Sequence, residues 1–483
     1  MIKSLKEKIK DNIHLKEVFT GSAITFVIKI TGMIIGYLVI LIISKQYGAE
    51  GVGIYNVTLN VLVFVAMLAS MGMNVSILRY VGQFNKDGEQ YKLRQLYCYA
   101  LEFIVPFSLV LAVLLYYLSE KIAVSIFHNA DYKAVLELSA FIVPFLVLQN
   151  ISVEFIRGLK HVKISEYFRS INGQLINIIL LLIIGDWFFY KEMFKDIFEL
   201  YDQIIVCFNI LNYNYYLLKV EGYIFTIYKN IISFNIFWPM FTFGVGIVVG
   251  AICTVYYIVK VICKFENKTN CFSRRELLLT SLPMMTTGIS LFIQGNISLF
   301  FLQILSTTEN AGIYSVAMKL SLLISIVLIV INTISAPKFS ELYWNKDFDR
   351  LQKLINYSVK IIFLISLVIS ILLVVFSIPI LRVFGDSFII ADSALKLLII
   401  GQLVNSATGS VGIFMNMTGH QKIFQNINVI MTIINIVFNY YLIPKYGING
   451  AAFSSMSTII LTNVIAAYYV KTRMKFTTYY SLF

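Results

Sequence analysis

Charge is what this 483-residue chain has least of for its size. Only 13% of its residues are Asp, Glu, Lys or Arg, against about 25% in a soluble domain. Cysteine is sparse as well. Cys98, Cys207, Cys253, Cys263 and Cys271 form no CxxC pair, so neither a disulfide framework nor a thiolate zinc site is indicated. The four histidines, His14, His128, His161 and His420, are scattered outside any HExxH, and there is no GxxxxGK[ST] loop. The motifs of metal-assisted hydrolysis and of ATP hydrolysis are therefore missing. The sequence leads us to expect no catalytic residue, no metal and no cofactor.

Apolar length fills the space that charge vacates. The chain is 58% hydrophobic with a mean hydropathy of +0.79. It carries repeated apolar runs of about 18 to 25 residues, each long enough to cross a hydrocarbon layer of about 30 Å as a helix. A barrel would instead show alternating runs of about ten residues. The expected fold is an all-α polytopic membrane protein. Its candidate spans are 18–44, 52–78, 95–118, 134–156, 168–189, 241–263, 278–302, 311–335, 356–378, 391–415, 425–443 and 448–470. The first follows Lys3, Lys6, Lys8, Lys10 and Lys16 without a small-residue cleavage site, so it is expected to stay as an anchor.

The formal charge of +13 could suggest nucleic acid, but its distribution points to a membrane surface. Basic residues gather in alternate short loops: Arg79 to Arg94, Arg157 to Arg169, Lys264 to Arg275, Lys338 to Lys353, Lys422, and Lys471 to Lys475. That is the positive-inside pattern, with both termini cytoplasmic and anionic membrane lipids as neighbours. The 190–240 segment is slightly acidic and belongs outside on this reading. It also holds apolar stretches at 204–218 and 223–239, so twelve crossings or fourteen satisfy the same parity.

Three stretches are written twice. Gly53-Ile54-Tyr55-Asn56-Val57 matches Gly312-Ile313-Tyr314-Ser315-Val316, "RGLKHVK" at 157–163 matches "TGHQK" at 418–422, and "GIVVGAICT" at 246–254 matches "GINGAAFSS" at 447–455. The common order implies two parallel six-helix halves: 1–263 carrying 190–240 as an insertion, a cytoplasmic linker at 264–277, and 278–483. Paired halves moving about a midplane site are a recurring transporter design.

Ionisable groups inside spans are costly and usually face a cavity or a partner. Lys319 lies deep in its span, and Lys29 and Lys396 lie in theirs. Glu102 and Glu154 are the carboxylates open to gating or ion coupling, and either could instead pair with Lys319. Amides recur through the spans, among them Asn177, Asn296, Gln402 and Asn405. Being donor and acceptor at once, they suit sugar hydroxyls, and they equally suit helix packing.

The stretches "FVIKITGMIIGYLVILIISKQYGAEGVGIYNV" (26–57), "AGIYSVAMKL" (311–320), "VFGDSFIIADSALKLLIIGQLVNSATGSVGIFMNMTGHQK" (383–422) and "NYYLIPKYGINGAAFSS" (439–455) resemble bacterial polysaccharide flippases of the Wzx type. That superfamily also holds the lipid II flippase and the MATE exporters. The resemblance spans nearly the whole chain, and 190–240, where a short loop is usual, is the departure. It implies two six-helix bundles about a V-shaped central cavity in a bacterial inner membrane. The implied substrate is an oligosaccharide repeat unit on undecaprenyl pyrophosphate, moved to the outer leaflet for O-antigen or capsule synthesis, with polysaccharide polymerase machinery as a neighbour. On this reading Lys319 and Lys29 contact pyrophosphate, Arg79 lies at the entry, and Asn177, Asn296, Gln402 and Asn405 touch the glycan. A MATE-type drug or ion-coupled exporter and a membrane polysaccharide polymerase or ligase are the alternatives.

Overall fold

A helix longer than a membrane is thick must bend back or leave the bilayer, and this constraint shapes the first and last elements. The computed structural model describes residues 13–86, 91–183, 237–262 and 273–480. Among them the regular structure is helical throughout. Ile13–Ala69 is one continuous run of 57 residues, about 85 Å if straight. It breaks at Gly48 (φ 65°, ψ −167°), a conformation open to glycine because it lacks a Cβ. Gln421–Tyr469 breaks in the same way at Gly447 (φ 53°, ψ −127°).

Both breaks are reversals. Asn435 and Thr458, each about a dozen residues from Gly447, join by a hydrogen bond of 2.7 Å. Tyr37 and Asn56, on opposite sides of Gly48, both bond to Lys319. Each long run is therefore a helical hairpin. The expected spans 18–44 and 52–78 fall on the arms of the first, with a break at Ser70–Gly72 inside the latter. The spans 425–443 and 448–470 fall on the arms of the second.

Between the hairpins lie Tyr91–Lys121, Tyr132–Gly158, Val162–Tyr167 continuing to 183, Phe237–Ile262, Arg274–Leu305, Thr308–Leu322, Ile326–Trp344, Phe348–Val375 and Asp392–Ala407. Among the described residues, eight helices have the length and apolarity to cross a membrane, or nine when the pair Arg274–Ser290 and Phe292–Leu305, bent by 41°, counts as one. Their outer faces are apolar: Val110, Val113, Leu114 and Tyr117 lie exposed on one helix, and Leu364, Ile365, Val368 and Leu372 on another. Contiguous apolar surface of this kind marks contact with lipid. The 190–240 segment lies outside the described residues up to 236, and so does the 264–277 linker up to 272.

The duplicated Gly-Ile-Tyr stretches pack against each other. A Cβ on Gly312 would collide with the Ala49 carbonyl oxygen and come within 2.7 Å of the Gly53 nitrogen, and one on Gly53 would collide with the Thr308 carbonyl oxygen. Three residues on, Asn56 donates to its counterpart Ser315 at 2.9 Å. Around this crossing Tyr132 donates to Gln303 at 2.7 Å, and Gln303 donates to the Phe127 carbonyl at 3.2 Å. A second seam joins the halves further along. Gly72 packs on the backbone of Ser281 and Met285, Ser281 donates to Ser76 at 2.8 Å, and Tyr80 reaches Thr280 at 2.9 Å and Glu276 at 3.2 Å.

Gly312→Val should lower the thermal unfolding midpoint in detergent sharply, since overpacking a close backbone contact costs about 1–3 kcal/mol or more. Gly36→Ala, with open space around its Cβ, should leave the midpoint unchanged or raise it. Equal midpoints for the two variants would disprove the crossing.

Candidate functional site: a cationic cleft and a polar cavity

Two openings with polar side chains in their lining stand out among the described residues. The first is a cleft of about 390 Å³ between the halves, lined by Lys29, Gly32 and Met33 of the first helix, Arg169, Ser170 and Gln174, and Ile326, Ile329 and Val330 of the second half. Gly32 shapes it, because a Cβ there would come within 2.5 Å of the Ser170 carbonyl oxygen. Residues Phe168–Asn172 form a π-helical turn, a local widening that redirects side chains and often occurs at functional sites. Arg169 is held by Glu154 at 2.5 Å, and Arg157 lies 3.8 Å from the same carboxylate. Lys29 makes no ion pair among the described residues. One wall of the cleft is thus cationic and the opposite wall is aliphatic.

The second opening is a cavity of about 480 Å³ inside the second half, lined by Gln294, Asn296, Tyr314, Gln402, Asn405, Asn428, Asn435, Ser455, Thr458 and Asn463 with a few apolar neighbours. Its amides are tied together. Ser325 donates to Gln402 at 2.5 Å, Asn405 donates to Gln402 at 3.3 Å, and Gln294 donates to Asn428 at 3.4 Å. Ser298 bonds to Ser455 at 2.8 Å, and Tyr314 reaches Ser455 at 3.0 Å.

The expected site residues separate on this framework. Asn296, Gln402 and Asn405 come together in the polar cavity. Asn177 does not join them: it is fully buried in the first half, where it donates to Tyr55 at 3.4 Å and accepts from Thr242 at 2.8 Å. Lys29 lines the cleft, whereas Lys319 is committed to the seam, its ammonium donating to Asn56 at 2.6 Å. The two lysines line no common opening here. Lys29 lies eight residues before Tyr37, the residue level with Lys319, or about 12 Å along the helix. Arg79 is exposed, with its guanidinium 6.0 Å from the Tyr80 ring centroid. Glu102 pairs with Arg274 of the linker at 2.9 Å and Glu154 pairs with Arg169, so neither pairs with Lys319.

Sequence reading passed over two residues. Arg169 was counted only as a loop charge, yet it forms half of the cationic wall. Glu166 sits one helical turn before it, 1% exposed, with both carboxylate oxygens lacking a hydrogen-bonding partner among the described residues. Spacing offered a signal for the first, since Arg169 lies five residues before Gln174 on the same helix. Burial of the second depends on packing between helices, which spacing does not reveal.

Comparison with known proteins bears on the class. The model for the family described as "Polysaccharide biosynthesis protein" matches residues 18–194, and the MatE model matches residues 283–441, so each half carries one. A putative O-antigen transporter of Shigella flexneri is 23% identical over 441 residues, covering 89% of this chain and 92% of its own. An uncharacterised membrane protein of Methanocaldococcus jannaschii is 24% identical, covering 87% of this chain and 78% of its own. Among solved structures, a multidrug resistance MATE family transporter in its inward-facing conformation superposes with a TM-score of 0.68 at 13% identity, over 93% of this chain and 98% of that one. The fold is MATE-like. The chain is thus similar to polytopic membrane transporters of the MATE and polysaccharide-biosynthesis superfamily.

Glu166→Gln should leave the protein folded and raise its unfolding midpoint, because the change removes a buried carboxylate with no hydrogen-bonding partner and keeps its shape. A clear loss of stability would mean that the carboxylate has a partner the geometry does not show.

Proposed function

We propose that this chain is a flippase that carries undecaprenyl-pyrophosphate-linked oligosaccharide repeat units from the cytoplasmic to the outer leaflet for polysaccharide synthesis. The cleft between the halves carries the reading, with Lys29 and Arg169 facing an aliphatic wall. A ligand that satisfies both walls is anionic at one point and apolar beside it, which describes the junction of an isoprenoid tail and a pyrophosphate. Lys29 supplies a mobile point charge, and Arg169 supplies a planar fork suited to phosphate oxygens. The polar cavity, bringing Asn296, Gln402 and Asn405 together, accepts sugar residues.

In this scheme the two hairpin runs contribute two crossings each, giving twelve in all, with both termini cytoplasmic as the loop charges require. The halves are 1–263 and 278–483. The open mouth of the cleft takes the headgroup from the cytoplasmic leaflet while the tail stays in lipid. Lys319 and Asn56 hold the seam between the halves, and an anionic headgroup reaching that level could replace Asn56 as the partner of the ammonium. Arg79 lies near the cytoplasmic mouth as an outlying cation. The similarity in sequence to the putative O-antigen transporter of Shigella flexneri and the polysaccharide-biosynthesis model on the first half support the same substrate class. A MATE-type drug exporter is the second reading, supported by the fold, but a cationic drug would be repelled by Lys29 and Arg169.

Deleting the gene should trap complete, single, undecaprenyl-pyrophosphate-linked repeat units on the cytoplasmic side. Wild type should restore export, and Lys29→Ala should restore it at least tenfold less well, as loss of one charge-assisted bond predicts. Single units already exposed outside but not joined would point to a polymerase or ligase. Unchanged lipids would favour a drug exporter.

A further inference from the structure

The two halves share a scaffold, yet they treat its interior differently. Tyr55 and Tyr314 occupy equivalent places in the repeat. Tyr55 is closed in: its hydroxyl accepts from Asn177, and its ring meets Phe243 edge-on at 6.4 Å. Asn177 and Thr242 beside it are fully buried. Gln149 fills the space next to Gly250, where a Cβ would come within 3.0 Å of its amide carbon. Thr254, the repeat counterpart of Ser455, is buried and bonds back to its own helix at 2.9 Å.

Tyr314 and Ser455 instead edge the 480 Å³ cavity. Asn296, Asn405 and Asn463 there are only half-buried, so parts of these amides lie open to a ligand. The volume falls within the range of about 300–1,000 Å³ typical of small-molecule sites. Among the described residues, none of those lining the cavity carries a charge. The nearest cation by sequence, Lys319, follows the lining residue Met318, but its ammonium is turned to Asn56 in the other half.

We infer that this cavity is a selective site for uncharged sugar residues, so that the part of the glycan it reads lacks uronic or other acidic sugars. This inference rests on the flippase reading and names the substrate class within it. Amides paired to hydroxyls satisfy neutral polyols from both sides, as donor and as acceptor. A carboxylate brought to the same place would lose water without gaining a counter-charge, a costly exchange in a membrane interior. The first half lacks this role because its equivalent polar groups are packed in: Asn177 bonds to Tyr55 and Thr242, Thr254 bonds to its own helix, and Gln149 fills the space beside Gly250.

The test uses the purified full chain in nanodiscs and reads thermal stabilisation by two free probes, maltotriose and trigalacturonate. The wild type should bind maltotriose at least tenfold more tightly. Asn405→Lys, which places a cation on the cavity wall, should narrow or reverse that ratio. Asn405→Ala, a milder change, should weaken maltotriose binding without making trigalacturonate the better ligand. Equal binding of both probes, or binding of neither, would overturn the inference. Farnesyl pyrophosphate, titrated on the same samples and on Lys29→Ala, reports on the cleft separately. Its retention alongside equal glycan binding would sink only the neutral-sugar assignment, whereas its failure to bind alongside a clear maltotriose preference would sink the lipid-pyrophosphate reading and leave the sugar site standing.

Discussion

The central crossing between the halves depends on two glycines touching. Gly53 and Gly312 bring two helix backbones together with no side chain between them, and helices in lipid associate through such close packing because hydrocarbon gives apolar faces no reason to leave it. The contact places Asn56 against Ser315 and puts the Lys319 ammonium within 2.6 Å of Asn56. A lysine this deep would be hard to hold unless its partner came from the opposite half. The seam therefore fixes the halves relative to each other and satisfies a charge in one arrangement.

That economy explains why the site residues separate. Lysine side chains are long enough to choose between neighbours, and the choice follows the nearest oxygen with good geometry. Lys319 finds Asn56 in the seam, while Lys29, about two turns further along, finds no carboxylate among the described residues and stays at the cleft. The carboxylates that could have taken it are occupied. Glu154 holds Arg169 in place on the cleft wall, a positioning contact that keeps the guanidinium plane available on its far edge. Glu102 ties the body of Tyr91–Lys121 to the start of Arg274–Leu305 through Arg274.

Much of this architecture was legible in the chain, and the reason is the bilayer. Apolar length and alternate loop charge are imposed by lipid on each helix separately, so runs such as 134–156 and 356–378 coincide with Tyr132–Gly158 and Phe348–Val375. The Gly-Ile-Tyr repeat was visible because a backbone contact tolerates no Cβ on either partner. Asn296, Gln402 and Asn405 could be singled out as amides within spans. What sequence could not supply was rotation about the helix axis. Asn177 belongs to the same residue class and turns into a packed core, and Arg169 looks like any loop cation until the π-turn faces it into the cleft. Glu166 shows the same limit, since only the packing of neighbouring helices reveals that its carboxylate is buried without a hydrogen-bonding partner among the described residues.

The asymmetry between the halves bears on how such a fold acquires selectivity. Of the two interiors, the first is filled by Gln149, Asn177 and Thr242, and each of these side chains makes at least one hydrogen bond there. The other can then stay open without weakening the seam, since the glycine crossing lies outside the cavity. Rigid support from one half lets the amides of the other be positioned by their own hydrogen bonds, as Gln402 is by Ser325. Charge is kept to the cleft and polarity to the cavity, so on the proposed flippase reading the anionic joint of the substrate belongs to the first and its sugars to the second.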